Sequence, residues 1–206
     1  MSSVGLLYVG AVLFMNGVML LGYLTPREAA PINFFVGALQ VMTPTVMILI
    51  LADGDQQTII SASGLYLFGF TYLWVAINGV KDWGGHGLGW FSLFVAVCAV
   101  IYALHSFITV DDYGTGVLWL GWAVLWFLFF LVLGLDMDFL TRGTGVFTSV
   151  VGLTTGAGAA FAMLLGAWSG TNTAAAIGIG VVCLVALVGM QPLGRLLGKR
   201  EAPVES

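Results

Sequence analysis

Seven stretches of the chain, near residues 4–22, 31–51, 59–79, 88–108, 115–135, 145–168 and 173–192, are predominantly apolar and hold no Asp, Glu, Lys or Arg. Each is close to the ~20 residues a helix needs to cross the hydrocarbon core of a bilayer. A backbone in that medium satisfies its own N–H and C=O groups only as a helix or a closed barrel, and runs of this length select the helix. The expected fold is therefore an all-α integral membrane protein, a bundle of seven transmembrane helices. Charged residues make up 8% of the sequence, against roughly 25% in soluble domains. Residues 1–194 read as a single transmembrane domain and 195–206 as a short polar tail. The first run lacks a basic leader and an A-x-A site, so it reads as a retained helix, not a signal peptide.

Short linkers make successive helices antiparallel neighbours. Alternating sides along seven helices puts Arg27, Lys81, Arg142, Arg195, Lys199 and Arg200 together at one end. By the positive-inside rule that end is cytoplasmic, with the N-terminus outside and the C-terminus inside. Asp53, Asp55, Asp111 and Asp112 then share the outer end. Six helices would turn the basic tail outward and break the pattern.

What the spans lack narrows the chemistry. Intramembrane carboxylates and ammonium groups mark ion sites and proton relays, and the seven runs hold none. His105, near the outer end of the fourth run, is the one candidate for titration, and it also reads as an interfacial residue. Pro44, between Thr43 and Thr45, is positioned to kink the second helix. Cys98 and Cys183 read as buried thiols without metal-ligand spacing. No nucleophile elbow, metalloprotease motif or phosphate-binding glycine loop is present, so no enzyme activity, cofactor or metal is expected. A net charge of −4 argues against a nucleic-acid partner.

Two residue classes remain inside the spans. Asn16, Asn33 and Asn78 fall toward the cytoplasmic ends, where carboxamides either form a polar mouth or tie helices together; Gln40 is open to the same two readings. Aromatics cluster: Trp119, Trp122 and Trp126 recur at three- and four-residue spacing, and Phe68 and Tyr72 are four apart, so each set shares a helix face. Trp119 suits an outer belt. Trp126 is near mid-membrane, too deep for a belt, and either packs or lines a path. In the sixth run Gly152, Gly156, Gly158, Ala162 and Gly166 give a small-residue surface for close helix packing.

The segments Leu7-Tyr-Val-Gly-Ala-Val-Leu-Phe-Met-Asn16-Gly, Asn33-Phe-Phe-Val-Gly37, Leu67-Phe-Gly-Phe-Thr-Tyr-Leu-Trp-Val-Ala-Ile-Asn78, Trp90-Phe-Ser-Leu-Phe-Val-Ala96 and Trp119-Leu-Gly-Trp-Ala-Val-Leu-Trp126 together resemble the AmiS/UreI family of urea and short-chain amide channels. The resemblance implies a homohexamer in the bacterial plasma membrane, each protomer with its own pore and lipid at the centre. It assigns the pore lining to Val9, Leu13, Phe68, Tyr72, Trp119, Trp122, Leu125 and Trp126. It also implies a functional link to a cytoplasmic amidase or urease. The acid-gated members carry a longer, histidine-bearing outer loop and a glutamate in the sixth helix. Here the loop is Ala52-Asp-Gly-Asp-Gln-Gln57 and Val151 stands at the glutamate's place. The seventh run resembles the AmiS branch, which points to acetamide-like cargo beside urea, passed without acid gating. Two other readings stay open: a proton-coupled amide transporter using His105, and a non-conducting membrane partner of an amidase.

Overall fold

The computed structural model describes residues 3–169 and 171–199. Among them seven helices are long and apolar enough to cross a membrane: α1 (Ser3–Leu20), α2 (Pro26–Leu51), α3 (Gln56–Lys81), α4 (His86–Ile108), α5 (Tyr113–Gly134), α6 (Asp138–Leu164) and α7 (Thr173–Leu197).

Several helices overrun the apolar runs, because their caps lie in polar flanks. Thr25 and Glu28 form a reciprocal capping box with Pro26 in the first turn, so α2 starts five residues ahead of Pro31. Asp55, Asp112 and Asn172 cap α3, α5 and α7 by accepting from backbone N–H groups three residues on. The sixth helix is displaced toward the N-terminus of its expected span. It begins at Asp138 and stops at Leu164, where Gly166 turns left-handed at φ 72°. Helix α7 runs on past Pro192 to Leu197, so Arg195, expected in the tail, is helical. Arg200 and the rest of the tail lie outside the described residues.

Helices α1 to α6 close into a ring in chain order, each packing on the next and α6 returning to α1; α7 lies outside, against α5 and α6. The three most extensive pairings, α2 with α3, α4 with α5 and α1 with α6, all cross at glycines. A Cβ on Gly37 or Gly69 would strike the facing helix, and so would one on Gly89, Gly10, Gly17 or Gly156. Bare backbone on both sides permits an approach that dispersion rewards, there being no hydrophobic drive between helices within lipid. Gly152 and Gly156 thus serve the packing read from the sixth run. Gly158 and Gly166 do not, since an added Cβ would reach no other helix from either.

All five described basic residues share one end of the bundle. Lys199 donates its N–H to the Leu21 carbonyl at 2.8 Å, Arg142 donates to the Lys199 carbonyl at 3.1 Å, and Gly79 packs on Pro26, so Lys81 and Arg27 lie near the same end of the α2–α3 pairing. Asp53, Asp55, Asp111 and Asp112 sit in the loops and caps of the opposite end.

Candidate functional site

The interior of the six-helix ring holds two cavities separated by an aromatic plug. The larger, about 290 Å³, opens at the basic end and reaches inward to Leu13, Tyr72, Leu125 and Trp126. The smaller, about 110 Å³, lies at the acidic end beside Gln57, Tyr102, His105 and Asp112, and ends on Trp119. Trp119 and Trp126 are seven residues apart on α5, so the material between them is roughly 10 Å thick at 1.5 Å per residue.

Phe68, from α3, is the centre of that plug. Its ring lies 5.9 Å from Trp119, 4.9 Å from Trp122 and 4.6 Å from Trp126, centroid to centroid, the last two edge-on. Edge-on contacts set the positive rim of one ring on the negative face of another, adding about 0.5–1.5 kcal/mol beyond area burial. Trp119 also stacks on Tyr102 at 4.6 Å, so it is held by α4 instead of standing in a headgroup belt. Val9 is buried in the same core, and Phe68 and Trp122 are almost wholly shielded. Of the eight residues the resemblance assigned to the lining, five face a cavity, and Val9, Phe68 and Trp122 lie in neither.

Polar groups are few and specifically disposed. Asn16 and Asn33 exchange two hydrogen bonds, at 2.9 and 2.7 Å, and Asn33 also donates to the Ala29 carbonyl at 2.9 Å. This pair ties α1 to α2, as Gln40 does by donating to the Gly5 carbonyl at 2.9 Å. Asn78 donates to the Gly84 carbonyl at 2.7 Å and, like Asn16, borders the larger cavity. The Tyr72 hydroxyl and the Asn78 carboxamide oxygen are both shielded from solvent and have no hydrogen-bond partner among the described residues. Both belong to residues bordering that cavity. His105 meets Gln57 at 3.2 Å.

Residue spacing gives no signal for Thr155. Its hydroxyl accepts the Trp122 indole N–H at 2.9 Å. The residue lies within Gly152-Leu-Thr-Thr-Gly156, where the glycines carried a packing signal and nothing local marked a partner for an indole 33 positions away. Spacing gives none for Thr71 and Ser92 either; both border the larger cavity, their hydroxyls turned back onto helix carbonyls.

The model of AmiS/UreI family transporters matches residues 1–167. The chain belongs to the AmiS/UreI family. A Mycolicibacterium smegmatis relative named as an amidate substrates transporter is 54% identical over 197 residues, covering 96% of this chain and 92% of the relative. The Rhodococcus erythropolis transporter protein AmiS2 is 50% identical over 204 residues, 99% and 96% of the two chains. The acid-activated urea channel of Helicobacter pylori strain J99 is 35% identical over 154 residues, 61% of this chain and 78% of that one. The cryo-electron microscopy structure of the Helicobacter pylori urea channel in its closed state superposes with a TM-score of 0.73 at 31% identity, covering 82% of this chain and all of the other. AmiS/UreI membership makes this an integral membrane protein with a transport role, and its relatives are transporters and channels. The family match ends before α7 begins, whereas both transporter alignments are too long to leave α7 out.

Proposed function

We propose that the chain is a passive, bidirectional channel for urea and short aliphatic amides such as acetamide, with the path running along the axis of the six-helix ring. The observation that carries this reading is the uncharged aromatic plug between two cavities, each open to a different end of the bundle. Rings of Phe68, Trp119, Trp122 and Trp126 offer flat faces and edges to a flat, neutral solute. Tyr72 and Asn78 offer a hydroxyl and a carbonyl oxygen that no described group occupies, matching the donors and acceptor of a carboxamide.

Magnitudes favour a neutral cargo. Stripping water from one amide group without replacement costs about 1–3 kcal/mol on mutational scales, and part of that is returned at Tyr72 and Asn78. Desolvating an ion costs several kcal/mol or more even after relaxation, with no charged group in the plug to offset it. Each 1.4 kcal/mol is about tenfold in rate, so the difference excludes ions and protons from the path. Transit requires the plug side chains to part.

The transport unit is residues 1–194, assembled as a homohexamer in the bacterial plasma membrane, with the basic end cytoplasmic and the N-terminus outside. It works without acid gating and serves a cytoplasmic amide-degrading enzyme. Stopped-flow light scattering on proteoliposomes tests the reading. Urea and acetamide gradients should relax at least tenfold faster than in protein-free vesicles, equally with and without a proton gradient. Relaxation that needs the gradient would make the protein a coupled transporter; none in either condition would leave it a scaffold.

A further inference from the structure

The seventh helix is held on the ring at a crossing that brings two arginines together. Gly194 of α7 lies on the backbone of Arg142 and Gly143 of α6, so the neighbours of those glycines, Arg195 and Arg142, flank the same crossing at the basic end. Beside it is a pocket of about 380 Å³ outside the ring, bordered by Arg142, Arg195, Thr141, Gln191, Leu20 and Phe139, with Asp138 the one acidic residue at its edge.

No described carboxylate pairs with either arginine. Among the described residues the only ion pair joins His86 to Asp136. Arg142 lies over Gly198 and spends one N–H on the Lys199 carbonyl, leaving the rest of its donor fork available. Arg195 has no hydrogen-bond or ionic partner among the described residues. The amide nitrogen of Gln191 is shielded from solvent and has no partner among the described residues, an anomaly for a buried donor unless a ligand completes it. Two guanidinium forks, a free amide donor and a hydroxyl converge on one pocket, a donor set that suits tetrahedral oxygens. The border is partly apolar: Phe139 is 71% exposed, and Leu20 adds a second apolar side chain to it. A free phosphate has no use for such a rim, but a molecule with acyl chains lays them along it.

We propose that this pocket binds the phosphate of an anionic phospholipid headgroup, clamping α7 to the ring. Basic pockets between helices on the cytoplasmic side have this chemistry, and the inference holds whatever solute the ring passes.

The test is thermal unfolding of the full chain in nanodiscs of phosphatidylglycerol or phosphatidylcholine, with native mass spectrometry counting retained lipids. For the wild type, phosphatidylglycerol should raise the midpoint by several degrees and one phosphatidylglycerol per protomer should persist. Arg142→Gln with Arg195→Gln should lose most of that shift and the retained lipid, while Arg27→Gln with Lys81→Gln, at the same end but outside the pocket, should keep both. Where the double variant does not fold, Arg195→Gln alone serves, since its side chain bonds no described group. Equal losses in both pairs, or no lipid preference in the wild type, would overturn the proposal. If inorganic phosphate in phosphatidylcholine nanodiscs reproduces the shift, the ligand is a free anion and the lipid assignment fails.

Discussion

Trp122 donates its indole N–H to the Thr155 hydroxyl at 2.9 Å, and that hydroxyl donates onward to the Val151 carbonyl at 2.6 Å. Both side chains are fully shielded. Thr155 sits where α6 winds as a π-helix over Gly152–Gly158, so the middle tryptophan of the plug is tied to an irregular stretch of the neighbouring helix. Thr155→Val keeps the shape and removes the acceptor, leaving a buried indole donor unpaired. The variant should lose about 1–3 kcal/mol of stability and discriminate less sharply between acetamide and larger amides. Thermal unfolding and paired flux measurements check both; unchanged selectivity would mean the bond is only structural.

Plug and vestibule should separate by substitution. Trp126→Ala removes a ring from the inner edge of the plug and should admit amides of four or more carbons that the wild type excludes. Tyr72→Phe deletes an unpartnered hydroxyl, so stability should hold or rise slightly while urea flux falls several-fold. If both variants kept wild-type flux and selectivity over larger solutes, the path would not pass these residues.

The Asn16–Asn33 exchange is a tie between helices. Asn33→Leu strands its partner and should destabilise by about 1–2 kcal/mol, with a double-mutant coupling of roughly 0.6–1.7 kcal/mol. Because Asn33 borders neither cavity, urea flux per folded protomer should stay within about twofold. A larger loss would give Asn33 a direct part in permeation.

Glycine substitutions should divide by their surroundings. An alanine at Gly156 would drive its methyl into Gly10 of α1, whereas Gly178 on α7 faces open space. Gly156→Ala should cost at least ~1–3 kcal/mol through forced separation of two helices. Gly178→Ala should be neutral or stabilising by up to ~1 kcal/mol. Unfolding midpoints of the two variants decide.

The cap of α3 has a definite pH signature. Asp55 accepts the Thr58 hydroxyl at 2.6 Å and its N–H at 2.8 Å, and these bonds, the hydroxyl's first, hold the carboxyl below its ordinary value of 3.8. A depressed folded-state value means the contribution is complete above the ordinary value and is lost as pH falls through the folded one. Asp55→Ala should therefore lower the unfolding midpoint equally at about pH 7 and pH 5, the gap closing only in strong acid. A gap that narrows already by pH 5 would contradict the bonded geometry.

The number of spans and the pairing of basic residues at one end were legible in the chain, because bilayer thickness and charge exclusion act on each segment by itself. Helix ends were less so. Hydropathy stops at the first charged residue, whereas Thr25 and Asp138 begin helices in polar flanks where water or headgroups tolerate charge. The small-residue run of α6 announced close packing without naming α1 as its partner. The aromatic spacing grouped Trp119, Trp122 and Trp126, but only the fold set Phe68 among all three, stacked Trp119 on Tyr102 and found Thr155 for Trp122. It also turned Asn16 and Asn33 toward each other and left the Tyr72 hydroxyl without a partner. Periodicity fixes which side chains share a face; which face meets which neighbour is decided by how glycine crossings let the six helices close into a ring. What the sequence determined alone was a set of uncharged membrane helices with an aromatic face, and tertiary packing made of it a plug between two cavities.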